Sequence, residues 1–238
     1  MHIKRQYLQK IPTVFVYNND ITEASQKGTI LFFHGLGASK DAQIHDLKNL
    51  AKSGFLVVGV DNVGHGERRY LDFEQKFSVQ NPDLERDFQQ AVLETAQEVP
   101  IIIEELEKKE LIFNGNIGIT GISMGGFVTY RAVIEYAHFK AAVSILGSPK
   151  WKNNDSHSPH LYMQKFAPTA LMSLNAGKDT SVPAFEAKNF HGELAEYYTE
   201  INKLEYIEYP DSEHFMLEND WNDLWNNMTK WFSKWLVT

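Results

Sequence analysis

The chain carries short strand-length segments at regular intervals, most followed by a stretch with helical periodicity. They fall at residues 29–33, 55–60, 116–120, 141–146, 169–175 and 204–209, with Ile30-Leu31-Phe32-Phe33 and Phe55-Leu56-Val57-Val58 apolar without a break. Continuous rather than alternating apolarity suits strands covered on both faces, as in a parallel sheet. Between them, 41–53 places Ile44, Leu47, Leu50 and Ala51 on one face, with Gly54 just past its end. Asn81-Pro82-Asp83 reads as a helix start, and a stripe from Leu84 to Leu106 continues it, with a kink expected at Pro100. Further helices are expected from Ser123 to about residue 137, over 183–198, and in a Trp-rich C-terminal stretch. Residues 3–18 look like an antiparallel edge pair broken at Lys10-Ile11-Pro12. The pattern implies an α/β fold: a mostly parallel, doubly wound sheet of about eight strands, with an antiparallel N-terminal edge and helices on both faces. No repeat or linker interrupts residues 1–238, so one domain is expected.

In such sheets the ligand site lies beyond the C-terminal strand ends. Four loops there carry chemistry. The first is Gly121-Ile122-Ser123-Met124-Gly125-Gly126, directly after a strand and directly before a helix. A serine in that position sits on a very sharp turn, which the glycines permit, and its hydroxyl stands at the positive end of a helix dipole.

A serine hydroxyl needs a base to act as a nucleophile. Of the nine histidines, His214 falls between the last strand and the last helix, on a suitable loop. His34 and His65 also lie at that sheet edge but precede the serine, and are read as shaping the pocket. A third group must orient the imidazole. Asp179, after the 169–175 strand, is the candidate; Asp211 and Glu213 are rivals, but residues so near His214 in sequence rarely point at it. The fourth loop, His34-Gly35-Leu36-Gly37, can offer a backbone N–H to an oxyanion: Leu36 is the candidate donor, paired with Met124.

Two segments are candidate pocket walls. Residues 148–168, long for a link between strands, read as a small cap carrying Trp151, Tyr162, Met163 and Phe166. Residues 67–79 bring Tyr70, Phe73 and Phe77, and Phe215 follows the candidate base. Lys40, Arg68 and Arg69 are read either as a lure for a carboxylated substrate or as a solvated rim. The Trp-rich final helix has a polar face that is not strongly basic, so it is expected to pack on the sheet rather than lie on a membrane.

Composition removes other classes. A formal charge of −8 argues against a phosphate-backbone binder, so no nucleic acid partner is expected. The absence of cysteine excludes thiolate metal sites and a cysteine nucleophile. No apolar leader or membrane span is visible, and a cytoplasmic monomer or homodimer is expected, with no metal.

The order Ser123, Asp179, His214, the glycine-flanked serine and His34-Gly35 before the first helix resemble the α/β-hydrolase fold family over nearly the whole chain. Gly177-x-Asp179-x-x-Val182-Pro183 and Asp61-x-x-Gly64-His65-Gly66 resemble its small dienelactone-hydrolase/prolyl-oligopeptidase-like branch. The resemblance implies a serine carboxylesterase acting on a small-molecule ester through an acyl-enzyme, with no cofactor. Dienelactone hydrolases use a cysteine where this chain has Ser123, so dienelactone is not carried over as substrate. Peptidases, thioesterases and non-catalytic ligand binders share the fold.

Overall fold

A computed structural model of the chain describes residues 1–152 and 156–236. Its centre is an eight-stranded sheet in the order β1-β2-β4-β3-β5-β6-β7-β8. The strands are β1 (His2–Leu8), β2 (Ile11–Tyr17), β3 (Thr29–Phe33), β4 (Leu56–Val60), β5 (Ile117–Ile122), β6 (Ala141–Ile145), β7 (Ala170–Ala176) and β8 (Leu204–Tyr209). β1 and β2 form an antiparallel hairpin, β2 runs antiparallel to β4, and β3 to β8 are parallel throughout. The expected fold class is therefore the observed one.

The continuous apolar runs have the predicted cause. Every residue of β3, β4 and β6 is buried, because helices cover both faces. One face is packed by α2 (Ile44–Lys52) and α8 (Glu218–Trp235), the other by α1 (Ile21–Lys27), α4 (Leu84–Gln97), α5 (Val99–Lys108), α6 (Met124–Glu135) and α7 (Ala184–Leu194). The Trp-rich helix packs as expected: Trp225 stacks on Phe32, Phe232 meets Phe55 edge-on, and the Trp231 indole N–H donates to the Ala170 carbonyl at 3.1 Å. Among the described residues no helix is long and apolar enough to cross a membrane.

Three local departures have physical reasons. α1 lies outside the sequence expectations; it is a short polar helix of about two turns, started by Asp20, whose carboxylate accepts from the Thr22 and Glu23 N–H groups. The stripe from Leu84 to Leu106 divides at Glu98 into α4 and α5, with Pro100 in the first turn of α5, where its missing N–H is not needed. Within 67–79 a further single turn forms, α3 (Phe73–Lys76), its Phe73 buried against the His65 ring.

Candidate active site

β5 passes into α6 through one residue, Ser123, at φ 55° and ψ −114°. A side chain in that region costs on the order of 1–3 kcal/mol unless its surroundings hold it there. Two hydrogen bonds do: the Ser123 N–H donates to the Ile145 carbonyl at 2.8 Å, and the Gly126 N–H to the Ser123 carbonyl at 2.7 Å. The flanking glycines are steric requirements. A Cβ on Gly121 would lie 2.4 Å from the Gly125 carbonyl oxygen, and one on Gly125 would lie 2.0 Å from that of Phe33.

The loops after β7 and β8 bring the next two groups together. They are laced by backbone bonds from Gly177 N–H to the Tyr209 carbonyl (2.8 Å) and from Lys178 N–H to the Ser212 carbonyl (2.9 Å). The buried Asp179 Oδ1 accepts from the Ser181 and Val182 N–H groups, both at 2.8 Å. Its Oδ2 accepts from His214 Nδ1 at 2.6 Å. That fixes the tautomer, leaving Nε2 free of hydrogen to accept from the Ser123 hydroxyl at 3.0 Å. The Asp179 carboxylate is thus pre-aimed by two backbone donors before it meets the imidazole. Of its rivals, Asp211 instead pairs with Lys178 at the surface.

The loop after β3 lies beside the serine, with the site of a Cβ on Gly35 only 3.7 Å from Ser123 Cβ. Met124 is the first residue of α6, where an N–H has no intrahelical acceptor, and neither its N–H nor that of Leu36 donates to another group among the described residues. His34 is not a pocket residue. It is fully buried, its Nδ1–H donates to the Gly35 carbonyl (2.8 Å), and its Nε2 accepts from the Asn62 N–H (3.0 Å). The Asn62 amide in turn donates to the His34 carbonyl at 2.9 Å. Burial pushes the His34 pKa down to about 4, so the ring is neutral and the lock holds at neutral pH. His65 also lies away from the cavity, buried between His34, Phe73 and Phe77, with its pKa lowered chiefly by burial.

The three cations singled out in sequence also stand elsewhere. Lys40 is buried, its ammonium 3.0 Å from Asp61, 3.1 Å from Asp41 and 2.5 Å from Glu67. Burial alone would lower its pKa; the hydrogen bonds from those carboxylates outweigh it and raise it. Arg68 clamps Glu98 with two nitrogens, at 2.6 and 2.7 Å, and Arg69 lies over the Phe73 ring. None lines the cavity.

A cavity of about 1330 Å³ opens at Ser123 and His214. Its walls are largely apolar: Phe77, Val79, Leu84, Phe88, Phe127, Trp151, Val182 and Phe185 on the side of α4, α6 and α7, and Leu36, Phe215, Met216 and Trp221 on the side of α2 and α8. Of the cap aromatics only Trp151 reaches it. Phe166 is fully buried among Tyr130 and Phe190, and Tyr162 packs against Arg131, its hydroxyl donating to the Ser156 carbonyl. The segment returns to the sheet through a 3-10 turn (Pro159–Lys165), and residues 153–155 of the expected cap lie outside the described residues. Across the mouth Lys150 pairs with Glu186 at 3.4 Å and Lys152 with Glu85 at 3.2 Å. No cluster of three or more potential metal ligands occurs among the described residues.

A parallel sheet with an antiparallel edge, a strained serine between strand and helix, and a histidine after the last strand define an α/β hydrolase. The model of the family described as serine aminopeptidase, S33, matches residues 24–192, and the chain belongs to that family. The protein YitV of Bacillus subtilis (strain 168), named as an esterase without firm assignment, is 25% identical over 244 residues, covering 90% of this chain and 92% of that one. The crystal structure of TT1662 from Thermus thermophilus superposes with a TM-score of 0.83 at 18% identity, each chain covered completely. A Klebsiella pneumoniae structure bearing a provisional dienelactone hydrolase name gives 0.76 at 17% identity, with 98% of each chain covered. The chain is a hydrolase by family, and these structures share its fold.

Proposed function

We propose that the protein is a serine carboxylesterase for small to medium acyl esters, with Ser123, His214 and Asp179 as its catalytic triad. One observation carries the reading: the unbroken relay from the Ser123 hydroxyl through His214 to an Asp179 already held by two backbone N–H groups. Ser123 Oγ attacks the ester carbonyl while His214 Nε2 takes its proton, and Asp179 stabilises the imidazolium. The N–H groups of Leu36 and Met124 receive the oxyanion, a contribution of roughly 3–4 kcal/mol per donor in comparable sites. His214 then protonates the leaving alcohol, and water repeats the sequence on the acyl-enzyme to release the acid. The apolar walls suit an acyl or aryl group.

Ser123→Ala is expected to abolish turnover of p-nitrophenyl esters and labelling by a fluorophosphonate probe. Wild-type turnover in that variant would sink the assignment. The family description also favours an amide substrate, and rates on p-nitrophenyl esters, acyl-CoA and aminoacyl-naphthylamides separate esterase, thioesterase and peptidase. The esterase reading expects the first to dominate.

A further inference from the structure

Gln43 and Asp46 stand one turn apart at the start of α2, and both line the cavity that holds Ser123 and His214. Among the described residues the Asp46 carboxylate takes part in no hydrogen bond or ion pair, and the only charged group acting on it is the neighbouring His45. The Gln43 Oε1 is buried and accepts from nothing. The other ionic groups at the mouth cancel in pairs, Lys150 with Glu186 and Lys152 with Glu85. Among the described residues, Asp46 is therefore the carboxylate of the cavity wall without an ion-pair partner. Burial raises its pKa, with the exposed His45 beside it acting in the opposite sense.

A half-buried carboxylate without a counter-charge has lost part of its hydration with no compensating contact, and a cationic ligand would supply that contact. The two acceptors are matched by a donor-rich cation: a protonated amine offers up to three N–H bonds and a full charge. A carboxylated ligand would meet repulsion. Helix-dipole stabilisation explains an acid in a first turn, but not the orphaned Gln43 oxygen on the same wall.

We propose that Asp46 and Gln43 form a subsite for a protonated amine on the substrate, making the enzyme selective for cationic over neutral or anionic esters. This rests on the hydrolase reading above, with Ser123 as nucleophile.

Two isosteric pairs test it: p-nitrophenyl ω-aminohexanoate against p-nitrophenyl heptanoate for the acyl side, and protonated 2-(dimethylamino)ethyl acetate against its uncharged 3-methylbutyl acetate isostere for the alcohol side. In at least one pair the cation is expected to show kcat/KM about tenfold higher or more, as charge-assisted bonds contribute. Asp46→Asn, which keeps the shape, is expected to bring that ratio to within about twofold of unity. A wild-type ratio near unity in both pairs overturns the proposal, as does a preference that survives Asp46→Asn. A second measurement needs no turnover: hexylammonium, but not hexanol, is expected to raise the Tm of Ser123→Ala, and not that of Ser123→Ala/Asp46→Asn. If no ester is turned over, yet that Tm shift appears, the subsite stands and the esterase reading falls. Absence of the shift counts against the subsite alone.

Discussion

At the scale of single residues, Asp179 and the glycines around Ser123 are the most constrained positions. Asp179→Asn would keep an oxygen for the Ser181 and Val182 N–H groups but turn an amide toward His214 Nδ1. The imidazole would then favour the wrong tautomer, and kcat is expected to fall by about 10³–10⁴-fold with the unfolding midpoint nearly unchanged. Gly66 illustrates the opposite case, a stability position near the site. It has φ 56°, and an added Cβ would lie 2.1 Å from the Asp61 carboxyl group. Gly66→Ala is expected to lower unfolding free energy by about 2–4 kcal/mol in urea titration. Ser123, His214 and Asp179 were legible in sequence because each stands at a strand end, and strand ends can be located from hydropathy alone. His34, Lys40, Tyr162 and Phe166, which the sequence places at the pocket or its rim, do not line the cavity. The partners that bury them come from distant segments, Asn62, Asp61 and Glu67, Arg131, and Phe190.

At the scale of elements, the loops after β3 and β4 behave as one unit. The His34–Asn62 exchange joins them at one point and the Lys40–Asp61 pair at another. Asp61 Oδ1 also accepts from the Lys40 N–H, and Oδ2 from the Glu67 N–H. Removing the ammonium leaves a buried carboxylate without its cation, which typically costs about 3–5 kcal/mol. Lys40→Met is expected to lose roughly that amount by chemical denaturation, far more than a surface lysine would. The same elements explain what the sequence hid. α1 is too short and polar for a hydrophobic stripe, and the break at Glu98 is invisible because the apolar period runs on across it.

Across the whole molecule, buried neutral histidines set the response to acid. Burial lowers His191 to about 3, its Nε2 sharing a hydrogen with Ser173 Oγ at 2.6 Å, and lowers His34 to about 4. In the unfolded chain each takes a proton near pH 6.5, so below that value the unfolded state binds more protons and stability falls with pH. The loss runs from about pH 6.5 down toward the folded values, by up to about 1.4 kcal/mol per unit for each histidine. Urea titrations between pH 7 and 5 are expected to show this slope, and His191→Gln to flatten it. The centre of the sheet was legible, since the unbroken apolar runs within 29–33 and 55–60 suit parallel strands covered on both faces, whereas the edge strand β8 carries Glu205 and Glu208 and is only partly buried. The cavity's two flanks are built differently. Ser123, His214 and the loop after β3 sit on backbone and buried ties, whereas the side chains of Lys150 and Lys152 reach across the mouth in ion pairs at partly exposed groups. Drift along those outer side chains can therefore change which molecules the cavity admits while the Ser123–His214–Asp179 geometry stays intact. A mutational library confined to Lys150, Lys152, Phe185 and Glu186 should yield diverged specificities at little cost in folded yield, the property that lets one scaffold seed many descendants.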